Sequence, residues 1–217
     1  GGGAPALDFA EVTLAGLASD GGLYVPESWP TLTRDEIAAL AGLNYAETAA
    51  RILAKFTHGV LNEAELLDLC RQAYGRFAHA AVTPLVQLDQ RHWLRELFHG
   101  PTLAFKDVAL QLVGLLFERF IGDRKLTVVG ATSGDTGSAA IDALAGRDGV
   151  EIFMLHPAGR VSDVQRRQMT TSGHANVHNI AIEGSFDDAQ SIVKGLFAET
   201  AFARAVGLTA VNSINFV

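Results

Sequence analysis

Apolar positions recur at helical spacing through the first eighty residues, and after Val82 they switch to short apolar runs separated by amphipathic stretches. The first pattern predicts an all-helical region over 1–80. Its helices fall at Leu7 to Leu17, Arg34 to Leu40, Tyr45 to Thr57 and Asn62 to Arg76, with a glycine turn at Ser19-Asp20-Gly21-Gly22 leading into an extended stretch, Leu23 to Pro26. Thr33 followed by Glu36 is a capping-box spacing that fixes where the second helix starts. From 81 to 217 the alternation is that of βα units, so the fold class is α/β: a mostly parallel sheet with flanking helices, preceded by the helical region. Strands are predicted at Leu94 to Leu97, Leu126 to Gly130, Glu151 to Leu155 and Val177 to Ile182. Helices are predicted at Leu103 to Phe120, Gly137 to Ala145, Ser162 to Thr171 and Ser185 to Thr200.

Composition narrows the function classes. The 217 residues carry 17 Lys+Arg against 24 Asp+Glu, a formal charge of −7, which excludes a basic nucleic-acid platform. Hydrophobic residues make up 48% and charged residues 19%, an ordinary globular balance that argues against disorder and coiled coil. No apolar run reaches the roughly 18 residues of a membrane span, no signal peptide opens the sequence, and a single Cys70 cannot form an internal disulfide, so a reducing, cytoplasmic setting is expected. Cys70 sits in a helical run and reads as a half-buried thiol without a role. His58, His79, His92 and His99 are scattered without metal-ligand spacing, and no metal is expected. The opening glycines and the ending Asn215-Phe216-Val217 lack tail composition and suggest part of a longer polypeptide.

Two segments carry candidate chemistry. In the helix predicted from Leu103, polar residues Asp107, Gln111 and Glu118 form a narrow stripe with Gly114, so most of that helix is expected to be buried. Lys106 lies off the stripe, and its neighbours at helical spacing are Ala109, Leu110 and Val113. Desolvation and the positive helix end both disfavour an ammonium there, and an unprotonated amine is what attacks an aldehyde to form a Schiff base. A lysine whose head snorkels to water beside Asp107 is the other reading of the same pattern.

The second segment is Gly130-Ala131-Thr132-Ser133-Gly134-Asp135-Thr136-Gly137-Ser138, between a buried strand and a helix start. Gly134 and Gly137 allow close approach, and free helical N–H groups together with the hydroxyls of Thr132, Ser133, Thr136 and Ser138 suit a carboxylate or phosphate. The loop lacks the lysine of a Walker phosphate loop and does not fit the dinucleotide fingerprint. Asp135 would repel an anion unless it caps the helix or accepts hydrogen bonds. A tight turn capped by Asp135 or Thr136 therefore stands beside the anion site as an equal reading.

Five stretches in order resemble the threonine synthase family: ASDGGLYVPE at 18 to 27, ELFHGPTLAFKD at 96 to 107, VVGATSGDTGSAA at 128 to 140, HPAGRVSDVQRRQM at 156 to 169 and NSIN at 212 to 215. The resemblance implies a pyridoxal 5'-phosphate enzyme of the tryptophan synthase β-like fold type, with Lys106 as the Schiff-base lysine. It implies that Ser133 to Gly137 receives the substrate carboxylate near the cofactor ring, with Asp135 also cofactor-binding and Thr132 in the same site. Arg160 is implied as a cation for the substrate phosphate, and Asn212, Ser213 and Asn215 as pocket-lining residues. The implied reaction converts O-phospho-L-homoserine and water to L-threonine and phosphate by β,γ-elimination and water addition, with Lys106 serving repeatedly as acid and base.

In the family the chain continues past NSIN into a glycine-rich loop for the cofactor phosphate. The 217 residues are therefore expected to form the N-terminal part of a longer two-domain enzyme and to be inactive alone. A serine or threonine dehydratase would share the lysine and the loop but need no substrate-phosphate pocket, and a noncatalytic anion-binding module would leave Lys106 structural. The oligomeric state and any effector are not legible.

Overall fold

A computed structural model describes residues 2–57 and 59–211. Its first part holds four helices, α1 (Phe9–Ala15), α2 (Arg34–Ala38), α3 (Tyr45–Thr57) and α4 (Glu63–Tyr74). Each opens on a reciprocal cap. Thr33 Oγ1 accepts the Glu36 N–H at 3.2 Å while the Glu36 carboxylate accepts the Thr33 N–H at 2.7 Å, and Asp8/Glu11, Asn44/Glu47 and Asn62/Glu65 repeat the arrangement. Such pairs satisfy N–H groups that a helix start would otherwise leave bare. The amphipathic faces of α3 and α4 bury Ala46, Ala50, Leu66, Leu69, Cys70 and Ala73 in one cluster. Cys70 is wholly buried, beyond the half-burial its helical setting suggested, and burial pushes its thiol up to about 11.

The four-stranded sheet has the order β5-β4-β3-β6, built from β3 (Leu126–Ala131), β4 (Val150–Pro157), β5 (Val177–Ile182) and β6 (Leu208–Thr209), and all its pairings are parallel. Alternate residues face opposite sides, as a pleated strand requires. Val128, Ile152 and Met154 join one buried cluster with α5 (Asp107–Ile121) and α6 (Asp135–Leu144). Val129 and Leu155 join another, with Ala189, Val193 and Leu196 of α8 (Phe186–Ala198). Helix α7 (Asp163–Thr170) packs along α6, and α9 (Thr200–Ala205) follows α8 after a break at Glu199. Among the described residues no helix is long and apolar enough to cross a membrane.

Several expectations need correction. The stretch at 94 to 97 is not a sheet strand: β2 (Trp93–Arg95) pairs antiparallel with β1 (Leu85–Gln87) in a separate hairpin. The Asp89 carboxylate closes that turn by accepting the Arg91 and His92 N–H groups, so the segment pairs locally. The helix predicted from Leu103 starts at Asp107, because Leu103 takes a φ of 64° that no continuing helix accommodates. The run 185 to 200 is two helices, and two-residue β6 gave no periodic signal.

Helix α5 joins the two regions. Its Leu110, Val113, Phe117 and Ile121 face the sheet, while Leu112 and Leu116 enter the cluster of α3 and α4. Its polar stripe is buried at Asp107, Gln111 and Gly114, while Glu118 stays exposed, and it faces α6 and the turn after it. Gln111 donates to Asp142 at 2.7 Å, Glu118 pairs with Arg147, and Gly114 lies so close to the Ala143 carbonyl that a side chain there would collide with it. Arg76, just past α4, grips Asp142 with two bonds of 2.8 and 3.0 Å and also reaches Gln111 at 3.0 Å.

Candidate active site

A cavity of about 490 Å³ lies between the turn before α5, the first turns of α6 and helix α7. Its wall includes Phe98, Thr102, Leu103, Ala104 and Phe105 on the lysine side, Asp135 and Ser138 on the loop side, and Ser162, Gln165 and Gln168 from α7 and its cap. Phe98, Leu103 and Phe105 are exposed and supply apolar surface suited to a planar ring.

The lysine turn is shaped by Asp107. This side chain is 0% exposed, and its carboxylate accepts the Thr102 N–H at 2.8 Å and the Thr102 hydroxyl at 2.7 Å. Burial raises the Asp107 carboxyl above its ordinary value, against the pull of those two bonds. Gly100 packs onto this carboxylate with no room for a side chain. Lys106 follows as the N-cap residue of α5, half-buried, with Nζ 4.3 Å from the centre of the Phe105 ring. The amine therefore stands over an aromatic face at the helix start, and it is not sealed among Ala109, Leu110 and Val113 as the helical pattern suggested. The cause is the irregular turn, which makes residue 106 the edge of the helix instead of its second turn.

In the 130–138 loop, Gly134 is the N-cap of α6 and has no side chain with which to cap it, and neither Asp135 nor Thr136 plays the capping part. Thr132 is buried, and its hydroxyl oxygen accepts the N–H of Gly134 at 2.9 Å and of Gly137 at 2.8 Å. It braces the loop from beneath. Gly137 lets Met169 of α7 and Thr132 approach: a Cβ at 137 would lie 2.6 Å from both the Met169 sulfur and the Thr132 methyl. Among the described residues, the N–H groups of Ser133, Asp135 and Thr136 meet no protein acceptor. Unpaired N–H groups at a helix start, reinforced by the helix dipole, attract an anionic group.

Sequence reasoning missed α7 as a site element. Gln168 Nε2 donates to the Thr102 carbonyl at 3.1 Å and Gln165 Nε2 donates to Asp135 Oδ1, so one helix touches both the lysine turn and the loop. The two glutamines stand at i and i+3, a spacing that places them on one helical face, and that was the available signal. Arg160 is exposed on the turn after β4 and outside the cavity wall, where it acts electrostatically on Asp188 of α8. Asn212, Ser213, Asn215 and His58 lie outside the described residues.

Comparison with known proteins assigns both regions of the chain to known families. Residues 77–215 match the family model described as "Pyridoxal-phosphate dependent enzyme", and residues 1–74 match that of "Threonine synthase N terminus". A threonine synthase of Pseudomonas aeruginosa is 55% identical over 98% of this chain and 46% of its own length, and one of Schizosaccharomyces pombe is 44% identical over 99% and 44%. Among solved structures, a threonine synthase from Brucella melitensis with bound PLP superposes with a TM-score of 0.92 at 53% identity, covering 99% of this chain and 47% of that one. The yeast threonine synthase gives 0.86 at 42% identity, covering 95% and 43%. The chain thus spans about half the length of the curated relatives it matches. With the turn before α5 and the start of α6 lining one cavity, and with family matches running along both of its regions, the chain belongs to the pyridoxal-phosphate-dependent enzymes and carries at 1–74 the N-terminal region characteristic of threonine synthases.

Proposed function

We propose that this chain supplies the lysine and carboxylate side of a cytoplasmic threonine synthase, which converts O-phospho-L-homoserine and water to L-threonine and phosphate. The observation that carries the reading is a cavity lined on one side by Thr102 to Phe105, the turn that ends at Lys106, and on the other by Asp135 and Ser138 at the start of α6. Pyridoxal phosphate, when bound, supplies an electron sink that makes the substrate's carbon-bound protons removable.

The chain's own residues do the rest. Lys106 would hold the cofactor aldehyde through Nζ, and its amine would carry protons away from and back to the substrate carbons. The unpaired N–H groups of Ser133, Asp135 and Thr136 receive the substrate carboxylate, and the Thr132 brace keeps them in place. Phe98, Leu103 and Phe105 present apolar surface toward the ring and reduce water access. Arg160, Asn212, Ser213 and Asn215 belong to the proposal as substrate-side residues on the family resemblance alone.

The test is to mix the chain with pyridoxal phosphate, reduce with borohydride and map the adduct by peptide mass. The chain has four lysines, Lys55, Lys106, Lys125 and Lys194, so the map is unambiguous. A phosphopyridoxyl group on Lys106, abolished by Lys106→Ala, is expected; equal labelling of all four would overturn the assignment of the lysine. Phosphate release from O-phospho-L-homoserine by the complete holoenzyme separates this reading from a dehydratase.

A further inference from the structure

The loop presents a contradiction that neither its glycines nor its hydroxyls resolve. Its three unpaired N–H groups suit an anion, yet Asp135 stands among them as the first residue of α6 and among the described residues has no cationic partner. A carboxylate in that position opposes any incoming carboxylate. Its hydrogen-bond partner is Gln165, from the first turn of α7 thirty residues away. An ionised carboxylate offers only acceptors, so the amide nitrogen must face Asp135. The other end of the same amide, Oε1, accepts the Ser162 hydroxyl at 2.8 Å, and Ser162 also caps α7 by accepting the Gln165 N–H at 3.3 Å. Gly134 completes the seat, since a side chain there would collide with the Gln165 carboxamide. The amide is thus oriented at both ends and is packed against the loop backbone.

We infer that Gln165 is a positioning residue that holds the Asp135 carboxylate against α7, so that the N–H groups at the start of α6 are left open to the carboxylate of the amino-acid substrate. The inference rests on the reading of this loop as the carboxylate site. Gln165 acts through Asp135. A charged donor would hold Asp135 equally well, but it would leave a second attractive centre on the α7 side for the ligand's carboxylate. A neutral amide directs Asp135 without competing for the ligand.

The test uses the complete chain loaded with pyridoxal phosphate and reads binding from the shift of the cofactor's absorbance, with L-threonine and L-threoninamide as probes. Only the first carries the carboxylate. Gln165→Ala should weaken L-threonine by about tenfold or more, the worth of a hydrogen bond to a charged group, and leave L-threoninamide within about twofold. Gln165→Glu, which preserves shape and sets a second carboxylate against Asp135, should lose at least as much. Adding Asp135→Asn to Gln165→Ala should recover most of the lost affinity, which a packing role for Gln165 would not produce. Equal weakening of both probes, or no recovery in the double variant, overturns the inference. If the unsubstituted protein binds both probes equally, the carboxylate-site reading fails first and the inference falls with it.

Discussion

The helical region and the cavity region are stabilised on different length scales. Each helix of the first region is closed by a cap pairing residues three apart, and α3 and α4 meet across a short connection, so nearest neighbours specify most of the layer. The cavity and the helices behind it depend on pairs far apart in sequence: Gln165 with Asp135 and Gln168 with Thr102 at the cavity, and Arg76 with Gln111 and Asp142 behind it, separated by 30 to 66 residues. Local encoding gives a robust scaffold. Long-range encoding lets a few side chains fix where the turn before α5 and the 130–138 loop stand relative to each other, and α5, shared by both clusters, transmits one region's stability to the other.

The largest test of this contrast is truncation of α5 on its two faces. Phe117→Ala, on the sheet face, should cost about 3–5 kcal/mol, and Leu116→Ala, on the face toward α3 and α4, about 2–5 kcal/mol. Denaturant unfolding followed separately by hydrogen exchange in α3 and α4 and in the four-stranded sheet should stay coincident in both variants. Two separated transitions would show that α5 does not couple the regions.

Next comes Thr132→Val, which keeps the shape but leaves the Gly134 and Gly137 N–H groups without their acceptor. A loss of about 1–3 kcal/mol is expected, with faster hydrogen exchange confined to the start of α6. Exchange that quickens equally in α3 and α4 would contradict a locally braced loop. Arg76→Ala should cost less, about 1 kcal/mol, because the guanidinium is half exposed. Its expected signature is faster exchange at the α4–α5 contact, and an unaltered exchange pattern would remove Arg76 as the tie between regions.

The smallest effect is a difference in response to acid. Glu36, held by Lys55 and the Thr33 N–H, is lowered from 4.5 to about 2, so its contribution is present above pH 4.5 and is lost as pH falls toward 2. Asp107 is raised above 3.8 by burial, so the folded state takes up its proton first and stability falls as pH rises through the window from 3.8 to the raised value. Exchange protection followed from pH 6 to 3 should therefore decline at the α2–α3 contact and hold or rise at the 100–107 turn. Asp107→Asn should flatten the second response; an unchanged slope in that variant would assign it to another group.

Much of the fold was legible because it is periodic. Tyr45–Thr57 and Val177–Ile182 have the predicted limits, and the Thr33/Glu36 cap stands where its spacing placed it. The misread elements are those whose identity depends on a partner. Trp93–Arg95 has apolar residues like any buried strand, and only the Asp89 turn decides that it folds back on Leu85–Gln87. The stripe of Asp107, Gln111, Gly114 and Glu118 was visible as a stripe, but nothing in it announced that α6 would cover it.

The same division runs through the site. The sequence alone determined which groups are available: a lysine before an apolar helix, a glycine and hydroxyl loop after a strand, and a motif order sufficient to name the family. These follow from local composition and spacing, which a chain displays before it folds. Tertiary structure decided what each group faces. It moved Lys106 to the edge of α5, turned Thr132 beneath the loop, set Arg160 outside the cavity wall and brought Gln165 to Asp135. Hydrogen bonds and burial depend on distances between segments, and those distances exist only once the sheet and helices have packed.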